Sequence, residues 1–374
     1  MNESLINKYI QRTMYLGKRA EGKTSPNPMV GAILVKNGKI IAEGYHHRAG
    51  CSHAEIEALN IAGKNAKGSI LFTNLEPCCH YGKTPPCTNA IIESGIAAVY
   101  CAMKDPNPQV NGKGLKILED AGIKTRTGFL EDKATFLNKV YIKYITTKIP
   151  YVTLKWASSL DGKIATETGE SKWITGEVSR KYVHKIRSIS DSILAGVGTV
   201  IADDPDLTVR HGYRKTLPLV RIIMDEKLQI PRNSKVLRTS KEYPTLIATG
   251  KSAAEKYSNE FDPGIKLLTC ELNEDGVDPV SLLLSLGKMR ITSLLVEGGP
   301  KIFASFIKKK LADSIFIILA PRIIGGQSSF SAIASIGYHH LETQSEYRIS
   351  RFRRLGPDLL LEVYPPGKNI CLQA

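Results

Sequence analysis

Apolar and polar positions in the first 150 residues follow two periods, one of strands and one of helices. The apolar runs MVGAILV and IIAEGYH flank Asn37-Gly38, a pair that supplies the positive φ angles of a two-residue turn, so they predict a β-hairpin. Further strands are predicted at SILFTNL and AAVYCAM, and helices from Cys87 to Ser94, at LKILEDAG and at FLNKVYIKYITTK. This order is typical of a layered α/β/α domain.

The segment between the hairpin and the third strand has the pattern of an amphipathic helix. Ile56, Leu59 and Ala62 recur at the spacing of one buried helical face. Gly63 follows directly and is a stop signal. We therefore predict a helix from His53 to Ala62.

The pattern restarts near Ile149-Pro150. Strand-like runs then alternate with helical stretches, among them DSILAGVGTV, PLVRIIMD, PTLIATG, SLLVEGGP and ADSIFIILAP, and the end reads as a β-rich tail, YRISRFRRLGPDLLLEVYP. A chain of 374 residues with 42% hydrophobic residues has the size and composition of two globular domains. We predict two α/β domains, residues 1–148 and 149–374.

Cysteine usage and hydropathy place limits on the class of protein. No run of about 18 apolar residues occurs, and the N-terminus is too polar for a signal peptide. Seven cysteines, an odd number, argue against a disulfide framework and leave metal binding or burial as their roles. The sequence therefore predicts a cytoplasmic protein with no membrane partner.

The formal net charge of +15 raises the question of a nucleic-acid partner. The charge is evenly spread, with +8 on residues 1–150 and +7 on residues 151–374, and neither part has a long basic tail. No cluster of aromatic residues suited to base stacking is present. The balance therefore favours small phosphorylated substrates over a polynucleotide.

A possible metal site combines His53-Ala54-Glu55 with EPCCHYGKTPPC, which begins at Glu76. Zinc deaminases use one histidine and two cysteines as ligands, and a glutamate in an H-x-E arrangement moves protons. Three protein ligands leave a fourth position for water, whose pKa the ion lowers. Since residues i and i+2 of a helix point apart, His53 must precede the regular helix, with Ser52 as its cap.

The second cysteine ligand is less certain, because the usual P-C-x-x-C spacing is absent. Cys78, which follows a proline, is the first cysteine ligand. Cys79 is a poor second ligand because the side chains of adjacent residues diverge, which leaves His80 and Cys87 as candidates. Cys87 is favoured because it begins an apolar helix, where the helix dipole stabilises a thiolate. A structural zinc site or a set of buried thiols is the alternative interpretation.

Two glycine clusters in the second half are candidate phosphate-binding turns. The stretch GVGTVI, residues 196–201, nearly matches G-x-G-x-x-G, and Asp225 ends a later strand where a ribose-binding acid is expected. The stretch EGGP, residues 297–300, precedes an apolar helix, whose free N–H groups suit a pyrophosphate. A tight turn without a ligand explains either cluster equally well.

Several segments together resemble one known family, the bifunctional deaminase/reductase of riboflavin biosynthesis. They are SPNPMVGAI, HAE, LEPCCHYGKTPPC, KDPNPQVNGKG, LKWASSLDGKIA, GESKWIT, GVGTVIADDPDLTVR and VEGGP. Cys79 and Tyr81 stand where Ser and His are more usual, and Asn74 stands where Thr is common. The resemblance implies a cytidine-deaminase-like α/β/α domain followed by an α/β domain similar in fold to dihydrofolate reductase.

The resemblance also implies roles for individual residues of the first domain. The zinc ligands are His53, Cys78 and Cys87, and Glu55 is the catalytic proton shuttle. The residues expected to line the pyrimidine and ribose phosphate pocket are Asn27, His46, His80, Lys83, Asp105 and Asn107.

In the second domain the resemblance implies an NADPH site and a substrate site. The cofactor residues are Ala157, Trp173, Thr199, Asp203, Gly299, Pro300, Lys301, Ile302, Phe303, Ala304 and Ser305. The substrate residues are Lys155, Ser171, Arg187, Leu207, Arg210 and Glu297. Guanidinium groups suit phosphate, and Lys155 and Glu297 are both candidates for the proton donor.

The implied activity is zinc-dependent deamination of a phosphoribosylated diaminopyrimidinone, followed by NADPH reduction of its ribosyl group to ribityl. The expected cofactors are one zinc ion and NADPH, the partner is a small phosphorylated pyrimidine rather than a nucleic acid, and the expected assembly is a homo-oligomer, a dimer or tetramer. A zinc deaminase acting on tRNA or single-stranded DNA is the alternative hypothesis.

Overall fold

The protein folds into two compact units, and the chain passes from one to the other between Lys148 and Ile149. This division is seen in a computed structural model. The residues that it describes are 1–82, 85–257, 260–337, 339–340 and 346–366. Lys83, one of the predicted pocket residues, lies outside the described residues.

The first unit contains one mixed sheet and six α-helices within its described residues. Its elements are α1 (Glu3–Lys18), β1 (Gly31–Lys36), β2 (Lys39–Tyr45), α2 (Ala54–Ala62), a 3₁₀ turn (Gly63–Ala66), β3 (Ile70–Thr73), α3 (Cys87–Glu93), β4 (Ala98–Cys101), α4 (Lys113–Asp120), β5 (Lys124–Arg126), α5 (Glu131–Leu137) and α6 (Lys139–Thr147). The strand order is β2-β1-β3-β4-β5. β1 pairs antiparallel with β2 and β3, whereas β3, β4 and β5 are parallel.

The predicted hairpin and the predicted end of the second helix are both confirmed. Asn37 and Gly38 have φ values of 52° and 74°, as the turn between β1 and β2 requires. Gly63 ends α2 with a φ of 52°. These positions follow the sequence because Gly and Asn adopt positive φ angles at a lower steric cost than other residues.

Three local predictions need correction. His53 itself is the N-cap residue of α2, with extended backbone and no side-chain cap bond, so Ser52 as the cap was wrong. Ile56 is only half-buried, and Ala58 takes its place in the buried face. The single helix predicted near FLNKVYIKYITTK is two helices, α5 and α6, separated at Asn138.

Close approach to the sheet explains two glycines of the first unit. A Cβ atom at Gly31 would lie 2.1 Å from the carbonyl oxygen of Thr13 in α1. A Cβ atom at Gly44 would lie 2.4 Å from the carbonyl oxygen of Ala54, at the start of α2. Backbone contact at Gly31 sets the position of α1 against the hairpin, and contact at Gly44 sets the position of α2 and of His53, which precedes it.

Among its described residues, the second unit is built on a sheet of nine strands. Its elements are β6 (Tyr151–Ser158), β7 (Lys163–Ala165), α7 (Glu177–Ile189), β8 (Ser192–Gly196), α8 (Val197–Asp203), β9 (Val220–Met224), α9 (Lys235–Arg238), β10 (Thr245–Thr249), α10 (Lys251–Tyr257), β11 (Ile265–Thr269), β12 (Leu272–Asn273), β13 (Gly276–Val277), α11 (Pro279–Lys288), β14 (Ser293–Val296), α12 (Pro300–Lys308), β15 (Ser314–Leu319), β16 (Phe330–Ser331), β17 (Arg348–Leu355) and β18 (Asp358–Tyr364). The strand order is β11-β10-β9-β8-β14-β6-β15-β18-β17.

Seven strands of this sheet are parallel, and the antiparallel β17–β18 hairpin forms one edge. The hairpin confirms the β-rich tail predicted from the sequence. Parallel strands bring their carboxyl ends to one edge of a sheet, where α/β proteins bind ligands. In the part of the chain that the structure describes, no helix is both long and apolar enough to cross a membrane.

Candidate metal centre and nucleotide-binding site

Three side chains converge beside the first sheet in an arrangement that fits zinc. The Nδ1 atom of His53 lies 3.2 Å from Sγ of Cys87 and 3.4 Å from Sγ of Cys78, and all three ligand atoms lie within 4.8 Å of one another. Standard bond lengths around a tetrahedral zinc ion would separate a histidine nitrogen and a cysteine sulfur by about 3.6 Å. The observed spacing therefore matches a site with three protein ligands.

Two of the ligands lie at helix starts, and the third, Cys78, lies on the loop that follows β3. His53 precedes α2 with φ −72° and ψ 160°, which confirms that it lies outside the regular helix. Cys87 is the first residue of α3, and its backbone N–H donates to Sγ of Cys78 at 3.4 Å. The hydrogen bond between the two cysteines lowers the pKa of Cys78 to about 4 and, together with burial, raises the pKa of Cys87, so the pair carries one thiolate.

Glu55 lies next to this cluster in a position suited to proton transfer. Its side chain is buried, and its Oε2 atom has no hydrogen-bond partner among the described residues. Burial raises the pKa of Glu55 to about 7. A buried carboxyl oxygen without a partner fits a site that receives a water molecule or a polar substrate group.

The two competing ligand candidates lie away from the cluster. Sγ of Cys79 is directed to the carbonyl oxygen of Gln109, at 3.7 Å. His80 is not part of the ligand cluster, and its Nδ1 atom is buried without a partner among the described residues. The geometry therefore fits Cys87 as the second thiolate ligand and leaves His80 free to contact a bound substrate.

Asn27 and His46 are held together at the metal cluster. Nδ1 of His46 lies 3.0 Å from the carbonyl oxygen of Ser52. Because a carbonyl oxygen can only accept, Nδ1 is protonated and donates this hydrogen bond. Nε2 of His46 therefore accepts from the side-chain amide of Asn27, at 3.1 Å. The His46 ring meets that of His53 edge-on, with centroids 5.3 Å apart.

Asp105 and Asn107 lie on the loop after β4. The hydroxyl of Tyr141 donates to the Asp105 carboxyl at 2.9 Å, and the backbone N–H of Asn107 donates to the same oxygen at 2.9 Å. Burial raises the pKa of Asp105 to about 6. Tyr141 was not among the predicted site residues, because a tyrosine in a helix gives no local signal of a partner 36 residues away.

A pair of buried asparagines fixes the segment that carries Asn27, and the sequence analysis gave neither a structural role. The Asn74 side chain accepts from the N–H of Gly31 at 2.7 Å and donates to the carbonyl of Met29 at 2.9 Å. Asn138 accepts from the N–H of Met29 at 2.8 Å. Asn74, at a position where Thr is common, therefore has an anchoring role in this chain.

In the second unit, three charged side chains form a buried cluster at the end of β14. The Glu297 carboxylate accepts hydrogen bonds from Nε and Nη2 of Arg187, at 2.7 and 3.1 Å. Nζ of Lys155 lies 3.4 Å from Oε2 of the same carboxylate. Burial favours the neutral acid, but the charges of Arg187 and Lys155 outweigh it and lower the pKa of Glu297 to about 2. Glu297 is therefore a carboxylate, which argues against it as the proton donor of this cluster.

Other predicted reductase residues gather around Asp203 at the end of α8. The Ser171 hydroxyl donates to the Asp203 carboxyl at 3.4 Å. Trp173, two residues further on, is 63% exposed, and the guanidinium of Arg180 lies 4.6 Å from its ring centroid. An exposed indole beside a polar cluster suits a planar ligand such as a nucleotide.

The substrate-side residues Leu207 and Arg210 differ in what they offer a ligand. Leu207 is buried in the hydrophobic core, so only its backbone is available. The N–H of Arg210 donates to Nδ1 of His184 at 2.9 Å, and its exposed guanidinium pairs with Asp206 at 2.5 Å. Arg187 also donates to the carbonyl of Thr208 at 3.0 Å, which ties this loop to the buried charged cluster.

The two glycine clusters meet at Ile302 on α12. A Cβ atom at Gly196 would lie 2.7 Å from Cδ1 of Ile302, and one at Gly298 would lie 2.9 Å from its Cβ. A Cβ atom at Gly299 would lie 3.8 Å from Oγ1 of Thr199, so the turns are adjacent. Packing against Ile302 thus accounts for two glycines that the sequence analysis considered for pyrophosphate contact.

The remaining cofactor residues divide by exposure. The four residues 299–302 at the start of α12 are at least partly accessible, as is Ala157 on β6, whereas the next three residues of α12 are buried. Those buried residues are Phe303, Ala304 and Ser305.

Asp225 does not bind ribose in this arrangement. It is buried and accepts the backbone N–H groups of Gln229 and Ile230 at 2.9 and 2.8 Å. The suggestion of a ribose-binding acid at this position was wrong, because a buried aspartate that follows a strand also serves to cap a turn.

Together, the His/Cys/Cys cluster, the buried glutamate and the separate parallel sheet define a zinc-dependent deaminase domain joined to a second α/β domain. Two family models match the same division. The cytidine and deoxycytidylate deaminase zinc-binding region matches residues 4–103, and the RibD C-terminal domain matches residues 150–361.

Full-length comparisons agree. The riboflavin biosynthesis protein RibD of Aquifex aeolicus is 44% identical over 94% of this chain and 96% of its own length, and that of Bacillus amyloliquefaciens is 42% identical over 96% and 97%. The solved structure of Acinetobacter baumannii RibD has 34% identity and a TM-score of 0.87, covering 97% of this chain and 99% of its own. The chain belongs to the riboflavin biosynthesis RibD family, a family of bifunctional deaminase/reductases that use zinc and NADPH.

Substitution of the ligand candidates tests the metal centre. We expect Cys87→Ser to lower zinc content to well below one ion per chain, because a second thiolate is lost from a three-ligand site. Cys79→Ser and His80→Ala are matched controls on the same insert and should retain zinc. The measurement is zinc per chain by atomic emission after dialysis, and zinc loss in either control but not in Cys87→Ser would contradict the ligand assignment.

Proposed function

We propose that this chain is a bifunctional riboflavin biosynthesis enzyme acting on phosphoribosylated pyrimidines. Its first step is hydrolytic deamination of 2,5-diamino-6-(5-phosphoribosylamino)pyrimidin-4-one to 5-amino-6-(5-phosphoribosylamino)uracil, and its second is NADPH reduction of the ribosyl group. A 35% identical solved structure from Thermotoga maritima, described as a diaminohydroxyphosphoribosylaminopyrimidine deaminase/5-amino-6-(5-phosphoribosylamino)uracil reductase, supports the substrate; it covers 97% of this chain with a TM-score of 0.85. The observation that carries the proposal is the His/Cys/Cys cluster beside the unpartnered buried oxygen of Glu55.

The deamination step follows from the side chains around the metal centre. Zinc, when bound by His53, Cys78 and Cys87, supplies a Lewis acid that activates water near neutral pH. Glu55 takes a proton at Oε2 and delivers it to the departing amine, so that water adds oxygen to the ring carbon and ammonia leaves. A pKa of about 7 suits both the uptake and the release of that proton.

Polar side chains near the cluster have roles in orienting the pyrimidine. The Asn27–His46 pair is fixed by the Ser52 carbonyl before any substrate arrives, which limits the reorganisation needed on binding. The unpartnered Nδ1 atom of His80 is a further polar contact for the substrate. Lys83 is assigned to the substrate phosphate on the family resemblance alone.

The reduction step uses the charged cluster of the second unit. NADPH, when bound, supplies the hydride that is added to the ribosyl C1′. Lys155 donates the accompanying proton to the sugar oxygen as the ring opens, and Glu297 stays ionised and holds Lys155 in place. The exposed guanidinium of Arg210 is the candidate phosphate ligand, because only one of its nitrogens is bonded within the described residues, to Asp206, whereas all three nitrogens of Arg187 bond to Glu297 or Thr208.

A homo-oligomeric assembly, a cytoplasmic location and the absence of a nucleic-acid partner stay predictions. The assignment of residues 1–148 to deamination and 149–374 to reduction is likewise part of this proposal, supported by the places where the two family models match.

A single substitution at Glu55 separates the two activities. Glu55→Gln keeps the size of the side chain and the zinc ligands but removes the proton carrier, so we expect ammonia release to fall by about 100-fold or more. NADPH oxidation on the deaminated substrate should persist at the wild-type rate. Ammonia assay, NADPH absorbance and zinc analysis of one preparation provide the comparison, and simultaneous loss of both activities would contradict separable sites.

Lys155 offers the corresponding test of the second site. Lys155→Met preserves the length of the side chain and removes its proton, so kcat for NADPH oxidation should fall by about 100-fold or more while deamination is unchanged. Arg290→Met, at a residue in the loop before β14, is the matched control and should leave both rates unchanged. Wild-type reduction by Lys155→Met would rule out Lys155 as the proton donor.

A further inference from the structure

The Glu76 carboxylate accepts four backbone N–H groups, two from the loop after β4 and two from the first turn of α4. Its side chain is 3% exposed, and Oε2 accepts from Asp105 at 3.1 Å and from Gly112 at 2.9 Å. Oε1 accepts from Gly114 at 2.9 Å and from Leu115 at 3.3 Å. Oε2 is thus bonded to the loop that links β4 to α4, and Oε1 is bonded to the first turn of α4 itself. None of these four bonds is to a side chain.

The first turn of α4 also packs tightly against the metal-binding segment. A Cβ atom at Gly114 would lie 2.2 Å from the carbonyl oxygen of Pro77, so the two backbones are in contact. Pro77 directly follows Glu76 and directly precedes the ligand Cys78. The Glu76 carboxylate therefore fixes how the loop approaches the metal ligand.

The same loop carries two residues assigned to the substrate. The Asp105 N–H is bonded to Glu76, and the Asp105 carboxyl in turn accepts the N–H of Asn107 at 2.9 Å. The backbone N–H of Glu76 donates to the carbonyl of Met103 at 3.0 Å, which ties the start of the loop from its other side. A displacement of this loop would move Asp105 and Asn107 together relative to Cys78.

We propose that Glu76 is a positioning residue of the deamination site, which sets the distance between the substrate loop, residues 104–112, and the metal ligand Cys78. The inference rests on the proposed function, because it assigns Asp105 and Asn107 to the substrate. Glu76 acts through the loop, and its carboxylate is engaged with backbone N–H groups rather than directed to the ligand atoms.

The carboxylate form of the side chain is essential to this role. A glutamine at position 76 has nearly the same shape, but one of its two terminal atoms is an NH₂ donor. In either orientation of the amide, that donor faces two backbone N–H groups and loses both bonds. An aspartate keeps both acceptor oxygens on a shorter side chain and therefore restores part of the network.

The test compares Glu76→Gln with Glu76→Asp in the full-length, zinc-loaded chain. We expect Glu76→Gln to lower kcat/KM for ammonia release by about 10- to 100-fold, mainly through a higher KM for the diaminopyrimidinone phosphate. Glu76→Asp should recover part of that loss. Zinc content should stay at one ion per chain, and NADPH oxidation on the deaminated substrate should be unchanged.

Amide hydrogen exchange gives a readout that does not depend on turnover. In Glu76→Gln, exchange should accelerate in a peptide covering residues 104–115 and not in one covering the hairpin, residues 31–45. Glu93→Gln, at an exposed position of α3, is the matched control and should match the wild type in every measurement.

Each other outcome has a definite meaning. A wild-type KM and unchanged loop exchange in Glu76→Gln would overturn the proposal. Loss of zinc, or faster exchange throughout the first unit in both Glu76 variants, would also overturn it, because Glu76 would then support the fold as a whole. Absence of ammonia release by the wild-type protein would instead count against the proposed function, since the exchange comparison is independent of activity.

Discussion

The convergence of one imidazole and two thiol side chains is the constraint around which the first unit is organised. His53 reaches the other ligands because its backbone is still extended, and only then does α2 begin and bury Glu55 beside the cluster. Cys87 reaches them because α3 begins at that residue. Two helix starts and the loop after β3 must therefore bring their ligand atoms within 4.8 Å of one another, and a shift of any of the three would separate the ligands from the proton carrier.

Much of this could be predicted from local chemistry. Short-range sterics, which can be inferred from neighbouring residues in the sequence, determine three features of the first unit. These are the hairpin turn, the end of α2 at Gly63 and the extended backbone at His53. The motif resemblance named His53, Cys78 and Cys87, and the structure brings their ligand atoms together. Reasoning from the residues alone had left His80 open as a ligand, since spacing does not show on which side of a loop a side chain lies.

What could not be predicted depends on contacts between distant segments. Glu76 bonds to residues 29 to 39 positions later in the chain, and Tyr141 bonds to Asp105 across 36 positions. The glycines at 196 and 298 looked like phosphate turns, but the space they leave is filled by Ile302. In the same way, the charge state of Glu297 depends on Arg187, 110 residues away, and not on its neighbours in sequence.

The pKa of the buried glutamate is shifted in opposite directions in the two units. Burial raises the pKa of Glu55 to about 7, whereas the charges of Arg187 and Lys155 keep Glu297 ionised. The account joins the two units into successive steps on one pyrimidine nucleotide. The most direct test follows ammonia and NADPH together after the protein is mixed with 2,5-diamino-6-(5-phosphoribosylamino)pyrimidin-4-one. We predict that ammonia appears first and that NADPH is then consumed in equal amount. NADPH consumption without ammonia, or ammonia release only from tRNA or single-stranded DNA, would contradict the account.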